Sequence, residues 1–156
     1  MTEAAKFAVA VIVLRRNSAV EGGWECVLVA RKDDHTRWSL PGGKVDPGET
    51  SPEAAIRELN EETSINPLFL FRGLGLTLEQ ARAYALRRFI PQGTVLDSGG
   101  YFTTFYLLDT TGMGLPDTFT VADREAPVEW GPLHKLLEGP FGRENAERLK
   151  KIGLMP

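Results

Sequence analysis

Residues 43–65 read GKVDPGETSPEAAIRELNEETSI, and this segment carries the strongest structural signal in the chain. Pro52 suits the first turn of a helix, and Thr50 or Ser51 can cap the free N–H groups there, so a helix is predicted over residues 51–63. At about 100° per residue, one arc of this helix is apolar and should pack against a sheet. The adjoining arc carries Glu58, Glu61 and Glu62. The segment therefore predicts an amphipathic helix with three carboxylates beside its buried face.

The three carboxylates are neighbours on one helix face, because they are spaced three and four residues apart. Like charges at that spacing destabilise a helix by a few tenths of a kcal/mol per pair. Carboxylate oxygens are the ligands that Mg²⁺ prefers, and Mg²⁺ is commonly shared with substrate phosphates. The cluster therefore predicts a bound cation. Arg57 lies four residues before Glu61 and is predicted to steer that carboxylate into a fixed rotamer.

The loop before the helix has few bulky side chains. Pro41-Gly42-Gly43 and Pro47-Gly48 would let backbone carbonyls approach the metal and would return Glu49 to the start of the helix. The alternative interpretation is a solvated acidic helix face, which is common. A glycine turn, a further glutamate and an arginine at fixed offsets favour the metal site.

These residues resemble the Nudix box, G-x5-E-x7-R-E-U-x-E-E-x-G-U, where U is aliphatic. The chain meets all but one of the defined positions, with Gly43, Glu49, Arg57, Glu58, Leu59, Glu61, Glu62 and Ile65. The exception is Ser64, which stands where the motif has glycine. Because the helix ends there and a left-handed conformation is convenient, serine is expected to cost about 1 kcal/mol of local strain.

The resemblance implies an α/β fold, a Nudix-type α/β/α sandwich with a central mixed β-sheet. It also implies cleavage of a phosphoanhydride bond in a nucleoside diphosphate linked to another moiety. Candidate substrates are a nucleoside triphosphate, an oxidised nucleotide, ADP-ribose and a dinucleoside polyphosphate. The catalytic residues would be Arg57, Glu58, Glu61 and Glu62, with Arg57 orienting the glutamates. Mg²⁺, or Mn²⁺ in its place, would be bound by Glu58, Glu61, Glu62, Glu49 and Gly43 and would lower the pKa of an attacking water.

The general base varies between members of the family, so the residues must be weighed individually. Glu61 is the first hypothesis, because its place beside Arg57 suggests orientation rather than simple ligation. Asp123 and Glu125, in the loop before the last strand, are the alternatives.

Three residues before the box are candidate substrate contacts. Arg31 and Arg37 flank the polar loop that leads into the box, and Trp38 follows at once. Aromatic side chains could also stack on a base, although a core position is the commoner fate of such residues. Those considered are Trp38, Trp130, Phe102 and Tyr106.

The rest of the chain alternates short apolar runs with helical patterns. Strands are predicted over residues 7–14, 24–31, 68–71, 101–108 and 128–130, with the first two antiparallel. Thr77 begins a capping-box pattern, so a helix is predicted over about residues 77–89. Further helical segments are predicted at residues 134–137 and 143–151, and loops at residues 93–100 and 112–127.

Composition bounds the remaining possibilities. The 156 residues fit a single domain, residues 1–156, and a net charge of −3 argues against non-specific binding of nucleic-acid polymers. The apolar run at residues 7–14 is too short to span a membrane, so a cytoplasmic protein is expected. We expect a small-molecule nucleotide as partner, no membrane association, and a monomer or homodimer.

Two other functions are considered. A catalytically silent Nudix-fold module that senses a nucleotide is disfavoured, since such modules usually lose box glutamates and this chain retains them. An isomerase of a prenyl diphosphate on a related fold would need a catalytic cysteine near the site. The single cysteine, Cys26, lies in a predicted strand well before the box and is expected to be buried and inert.

Overall fold

The computed structural model of the protein describes residues 5–72, 74–97, 99–119, 126–139 and 141–155. Its strands are β1 (Lys6–Arg16), β2 (Trp24–Ala30), β3 (Trp38–Ser39), β4 (Gly42–Lys44), β5 (Ile90–Leu96), β6 (Tyr101–Asp109) and β7 (Val128–Pro132). Its α-helices are α1 (Ser51–Thr63), α2 (Pro67–Arg72), α3 (Leu78–Arg88) and α4 (Gly142–Lys151). Short 3₁₀ helices occupy Glu21–Gly23 and Leu133–Glu138.

The described strands form one mixed sheet. Its main order is β3-β2-β1-β6-β5, with β4 paired to β1 and β7 paired to β2. The β1–β6 pair is parallel, and the other pairs are antiparallel, including the predicted pairing of β1 with β2. The loop and β4 that precede α1 are therefore fixed against the central strand.

The central strand β1 separates two apolar layers, because alternate side chains point to opposite faces of a sheet. Val9, Val11 and Val13 belong to the core beneath α1, α2 and α3. Ile12 and Leu14 belong to a second core, which includes Leu149 of α4. Helices thus cover both faces, which confirms the α/β/α sandwich around a central mixed sheet.

Helix α1 begins and ends as predicted. The hydroxyl of Thr50 accepts from the N–H of Glu53 at 3.3 Å, and the Glu53 carboxylate accepts from the N–H of Thr50 at 3.2 Å, which forms a capping box. At the other end Ser64 has φ 63° and ψ 8°, the left-handed conformation that the motif's glycine adopts readily. The structure confirms the predicted conformation at this departure from the motif.

The predicted strand at residues 68–71 is wrong, since these residues lie in helix α2. The side chain of Asn66 accepts from the N–H of Leu68 at 3.0 Å, and Pro67 opens the helix. Phe71 is buried, and its ring packs edge-on against Tyr84 of α3 at 4.8 Å. A short apolar run does not distinguish a strand from a buried helical turn, and packing against α3 selects the helix here.

The predicted loop at residues 93–100 is also wrong in its first half, because β5 extends to Leu96. This strand lies at the edge of the sheet, where Pro91 needs no ladder partner for its nitrogen. The register with β6 shifts between Pro91 and Thr94, and Gly93 has φ 102° within the irregularity. Proline and glycine therefore mark an irregular edge strand rather than a loop.

Two further expectations can be compared with the fold. No helix in the described ranges is long and apolar enough to cross a membrane; cytoplasmic residence stays a prediction. Cys26 is fully buried in β2, as predicted, and burial raises the pKa of its thiol well above the ordinary value. A thiol in that environment is unreactive, which removes the basis for the isomerase hypothesis.

Candidate active site

The guanidinium of Arg57 is the centre of the acidic site. Its Nε and Nη2 donate to the two carboxylate oxygens of Glu49 at 2.8 and 2.9 Å, a bidentate pair. Its Nη1 donates to Glu58 Oε1 at 2.9 Å and to Glu61 Oε2 at 3.2 Å. The predicted pairing of Arg57 with Glu61 is present, but Arg57 also holds two other box glutamates.

The loop between β4 and α1 positions this network. Nη2 of Arg57 donates to the carbonyl oxygen of Lys44 at 2.9 Å and lies 3.4 Å from Asp46 Oδ2. The N–H of Asp46 donates to Glu49 Oε1 at 3.1 Å, and the N–H of Glu49 donates to the Asp46 carbonyl at 3.0 Å. The turn at residues 46–49 thus brings Glu49 back to the helix, as the loop composition predicted.

Gly43 gives Glu58 room beside the backbone. A Cβ on Gly43 would lie 2.7 Å from Oε2 of Glu58 and closer still to the rest of its carboxyl group. Glycine is therefore required at this position by a side chain fifteen residues away in the sequence, since any larger residue would displace the Glu58 carboxylate. The role of the Gly43 carbonyl as a metal ligand stays a prediction.

Burial and charge act in opposite directions on the site glutamates. Burial raises the pKa of Glu58 above its ordinary value, and the neighbouring Arg57 only partly offsets this. Hydrogen bonds from Arg57 lower the pKa of Glu49 below its ordinary value. Arg57 itself has a raised pKa, chiefly through Glu49. A cation beside Glu58 would therefore favour its charged form.

The donor set has the chemistry of a hard-cation site. Among the described residues no three acidic, histidine or cysteine side chains converge on a common point. Arg57 engages an oxygen of each of Glu49, Glu58 and Glu61. Even so, carboxylates are the preferred ligands of Mg²⁺, and Glu58 lies against the open backbone at Gly43. Glu62 and Gly43 also line one cavity, described below. These residues fit a divalent cation shared with a phosphate.

The carboxylate of Glu53 pairs with Arg82 and not with Arg57, although Glu53 and Arg57 are one helical turn apart. Its Oε2 accepts from Nη2 of Arg82 at 2.7 Å, while Oε1 completes the Thr50 capping box. Arg82 lies on α3, so the extra helix is tied to the start of α1 by this ion pair. Arg82 therefore has a structural role, since it pairs with a glutamate of the protein itself.

A cavity of about 260 Å³ lies beside the box. It is bounded by β1, the β3–β4 segment, β5, β6 and the start of α4. Gly43, Lys44 and Glu62 of the box contribute to its wall, and most of the remaining lining is apolar. The volume is close to the roughly 300–1,000 Å³ that small-molecule sites span. A ligand in this cavity would contact the box directly.

The predicted substrate contacts Arg31, Arg37 and Trp38 are outside the cavity lining. Arg31 donates to Asp33 at 2.8 and 3.1 Å, and the backbone of Arg37 closes the loop by bonding to Arg31 and Asp34. Trp38 is half-buried, with the ammonium group of Lys135 5.4 Å from its ring centroid. Their role in substrate binding stays a prediction.

The other candidate residues are dispersed. Asp123 and Glu125, the alternative general bases, lie outside the described residues. The ring of Trp130 is covered by the guanidinium of Arg15 at 4.1 Å. Tyr106 is buried, whereas Phe102 is exposed and lies 6.0 Å from Phe7.

Sequence reasoning missed the cavity residues of α4. Glu144 and Asn145 both line the cavity, and Asn145 is buried. The signal was available: Gly142, Asn145 and Leu149 form the buried stripe of α4, and Asn145 is the polar member of that stripe. A polar residue at a core-facing helical position is informative, because it needs a partner when buried.

The chain is similar in sequence to several curated proteins. A Bacillus subtilis (strain 168) protein named putative 8-oxo-dGTP diphosphatase is 52% identical over 40 residues, 26% of this chain and 27% of that protein. A Caenorhabditis elegans protein named putative nudix hydrolase 1 is 36% identical over 123 residues, 78% of this chain and 28% of that protein. The matches span about a third or less of the curated relatives' length.

Similarity in structure extends over almost the whole chain. The crystal structure of a C. elegans Ap4A hydrolase binary complex aligns with a TM-score of 0.61 and 19% identity, covering 93% of this chain and 94% of that one. At this identity the likeness establishes the fold alone. The NUDIX domain family matches residues 6–152, which include the box, β1 and all of α4. The chain therefore belongs to the NUDIX domain family.

Proposed function

We propose that this chain is a Nudix hydrolase that cleaves a phosphoanhydride bond of a nucleoside diphosphate linked to another moiety. The observation that carries the proposal is the Arg57 network, which holds Glu49, Glu58 and Glu61 beside a cavity lined by Gly43 and Glu62. In this proposal the carboxylate cluster binds the cation, and the adjoining cavity supplies room for the substrate.

The proposed cofactor is Mg²⁺, with Mn²⁺ as a substitute. Nudix hydrolases generally use a divalent metal ion. Oxygen-only donors with few bulky neighbours suit Mg²⁺, which retains water molecules and is commonly shared with phosphates. Glu58 and Glu62 are the proposed principal ligands, with Glu49 close by. When bound, the metal would neutralise the diphosphate and make the attacking water more acidic.

The protein's own residues orient this chemistry. Arg57 holds Glu49 by two hydrogen bonds and restrains Glu58, so the carboxylates keep their places before substrate arrives. We assign Glu61 as the general base that removes a proton from the attacking water. Its side chain is 56% exposed and contacts Arg57 at 3.2 Å, so it is the box glutamate most open to water.

The substrate is proposed to be a nucleotide. Support comes from the names of two similar proteins, an 8-oxo-dGTP diphosphatase and an Ap4A hydrolase. A mostly apolar cavity next to a carboxylate cluster suits a base joined to a phosphate chain.

A substrate panel tests the function. Nucleoside triphosphates, oxidised nucleotides, ADP-ribose and dinucleoside polyphosphates would be incubated with Mg²⁺ or with EDTA, and release of phosphate, pyrophosphate and mononucleotide followed. The test variant is Glu61→Gln/Glu62→Gln, and the matched control is Glu79→Gln, an exposed glutamate on α3. We expect turnover that EDTA abolishes, that the double variant loses and that the control retains.

The outcomes separate the hypotheses. Tight nucleotide binding without turnover across the panel would contradict the hydrolase and favour the sensing module.

The general base is tested by single variants: Glu61→Gln should lower kcat by about 100-fold or more, in line with the 10²–10⁴-fold contribution of general bases. Normal turnover by Glu61→Gln together with loss in Glu125→Gln would move the base to Glu125.

A further inference from the structure

A second concave surface lies next to the box. This groove has a volume of about 420 Å³ and is bounded by the first residues of β1, the segment at residues 44–49 and Tyr101 at the start of β6. Lys44 and Tyr101 line both the groove and the cavity beside the box, so the two concavities meet at these residues. A ligand that occupies the cavity can therefore extend past the box into the groove.

Two lysines of the groove are brought together by the sheet. Lys6 is in register with Tyr101 in the β1–β6 pair, and Lys44 is in register with Ala8 in the β1–β4 pair. Because Lys6 and Ala8 are two residues apart on β1, all these side chains project from one face of the sheet. The ammonium groups of Lys6 and Lys44 lie 5.5 and 5.7 Å from the centroid of the Tyr101 ring. Two positive charges are thus held beside a single ring.

These two charges are not neutralised by the acids nearby. Within the described part of the chain neither lysine forms an ion pair, and both are exposed. The acids of the groove, Asp46 and Glu49, instead approach Arg57, at 3.4 Å and through two hydrogen bonds of 2.8 and 2.9 Å. The groove therefore offers two ammonium groups to an anionic ligand.

Solvated surface lysines are common, so the alternative is a site with no ligand. Three features favour an anion site: the shared ring, the lack of a described acidic partner and the continuity with the cavity. The lysine ammonium is a compact point charge that commonly binds phosphate. A phosphate beside Tyr101 would also relieve the repulsion between the two cations.

We propose that Lys6 and Lys44 form an anion subsite for phosphate groups of the substrate that lie beyond the nucleoside diphosphate. The moiety linked to the diphosphate is then itself phosphate, as in a nucleoside triphosphate or a dinucleoside polyphosphate. In ADP-ribose that moiety is a neutral sugar, which gives the two lysines no anion to bind. The inference rests on the proposed hydrolase function and narrows its substrate class.

The kinetic test compares ATP, a dinucleoside tetraphosphate of adenosine and ADP-ribose. All three contain an adenosine diphosphate unit, so contacts to the base cancel in their ratios. We expect the wild-type kcat/KM for ATP to exceed that for ADP-ribose by about 10-fold or more, the effect of one hydrogen bond to a charged group. Lys6→Gln/Lys44→Gln should lower kcat/KM by about 10-fold for the phosphate-bearing substrates and should leave the value for ADP-ribose within about 3-fold of wild type.

The matched control is Lys32→Gln/Lys151→Gln. It removes the same charge from two exposed lysines that line neither the groove nor the cavity, and all three rates should be unchanged. The wild-type preference for ATP should also shrink at high ionic strength, where exposed charges are screened. A loss in the test variant for both ATP and the tetraphosphate places the adjacent phosphate at the lysines. A loss for the tetraphosphate alone places a more distant phosphate there.

Binding of inorganic tripolyphosphate, followed by calorimetry with Mg²⁺ and with EDTA, separates this site from catalysis. We expect the wild type and the control to bind it about 10-fold more tightly than Lys6→Gln/Lys44→Gln, with thermal melting as the check that each variant is folded. If no nucleotide is hydrolysed but this difference is seen, the hydrolase function fails and the anion subsite stands. Equal tripolyphosphate binding by the wild type and the test variant, or equal losses of activity on ATP and ADP-ribose, would overturn the proposal.

Discussion

Helices α1 and α4 each carry one buried polar side chain, and the two are treated differently by the fold. On α1, Thr63 is 1% exposed; its hydroxyl donates to the Leu59 carbonyl at 2.6 Å and accepts from the N–H of Ile65 at 3.1 Å. On α4, Asn145 is 4% exposed, and its amide forms no hydrogen bond with a described residue, although its polar atoms are not fully buried. The hydroxyl of Thr63 is thus satisfied within the chain, whereas the amide of Asn145 faces the cavity.

The charged groups follow the same division. On α1 the arginine that precedes Glu58 in sequence is bonded to three glutamates, so the acidic site is organised before any ligand binds. On α4 the carboxylate of Glu144 lines a cavity without a described partner. The acidic site on α1 is therefore organised by contacts within the protein, whereas the polar groups of α4 that line the cavity have no described partners. Four substitutions test this difference.

The largest effect is expected for Gly43→Ala. The new methyl group would overlap the Glu58 carboxylate, which can swing away at little cost to the fold. Because a displacement of about 1 Å at a reacting group can cost about 100-fold, we expect kcat to fall by about that factor with the melting temperature nearly unchanged. Kinetic assay and thermal melting of the same sample measure both quantities.

Gly42→Ala is the matched control for that substitution. A Cβ on Gly42 would lie 3.0 Å from the Cα of Ala10 and closer to the carbonyl oxygen of Val9, which are backbone atoms of β1. This variant should lose stability rather than activity per folded molecule. A Gly43→Ala enzyme with full activity would show that the position of Glu58 is unimportant.

Thr63→Val should destabilise the protein by about 1–3 kcal/mol. The replacement has a similar shape, but it leaves the buried N–H of Ile65 without its acceptor. Chemical denaturation measures the free energy of unfolding. A change below about 0.5 kcal/mol would mean that the stability of the C-terminal end of α1 does not depend on this hydroxyl.

Ser64→Gly should stabilise the protein by about 0.5–1 kcal/mol and leave kcat unchanged. Serine in the left-handed region, with φ 63°, carries a cost that glycine avoids, although glycine loses more entropy on folding. The same denaturation assay applies. Lower stability in the glycine variant would show that the serine side chain contributes a contact that offsets its strain.

Asn145→Leu should change stability least, by under about 1 kcal/mol in either direction. The Asn145 side chain forms no hydrogen bond with the described residues, and its amide atoms are not fully buried, so the replacement breaks no internal hydrogen bond. A loss of about 2 kcal/mol or more would contradict the view that this amide contributes no hydrogen bond to the fold.

The sequence predicts the α1 half of the molecule better than the α4 half, for a physical reason. The box residues lie within one loop and one helix, so helical periodicity places Arg57, Glu58 and Glu61 together without knowledge of the fold. The left-handed Ser64 follows from the same local geometry. The link from Gly43 to Glu58 is less accessible, since it depends on β4 pairing with β1.

The cavity could not be predicted in this way, because its wall comes from segments far apart in the chain. Val95 lies on a strand that was predicted as a loop, since proline and glycine tolerated at a sheet edge look like loop signals. A strand is predicted at α2 for a related reason. Its apolar run is too short to show helical periodicity, and only its packing against α3 identifies it as a helix. Asn145 on the buried stripe of α4 was the one local clue.

The dependence of turnover on Mg²⁺ concentration, measured for the wild type and for Glu58→Gln with one good nucleotide substrate, tests the proposed metal-dependent hydrolysis most directly. We expect wild-type activity to rise with Mg²⁺ and saturate, and the variant to need more Mg²⁺ and to turn over about 100-fold more slowly or worse. An unchanged Mg²⁺ dependence and rate in Glu58→Gln would contradict the assignment of this carboxylate as a metal ligand, and with it the proposed role of the box.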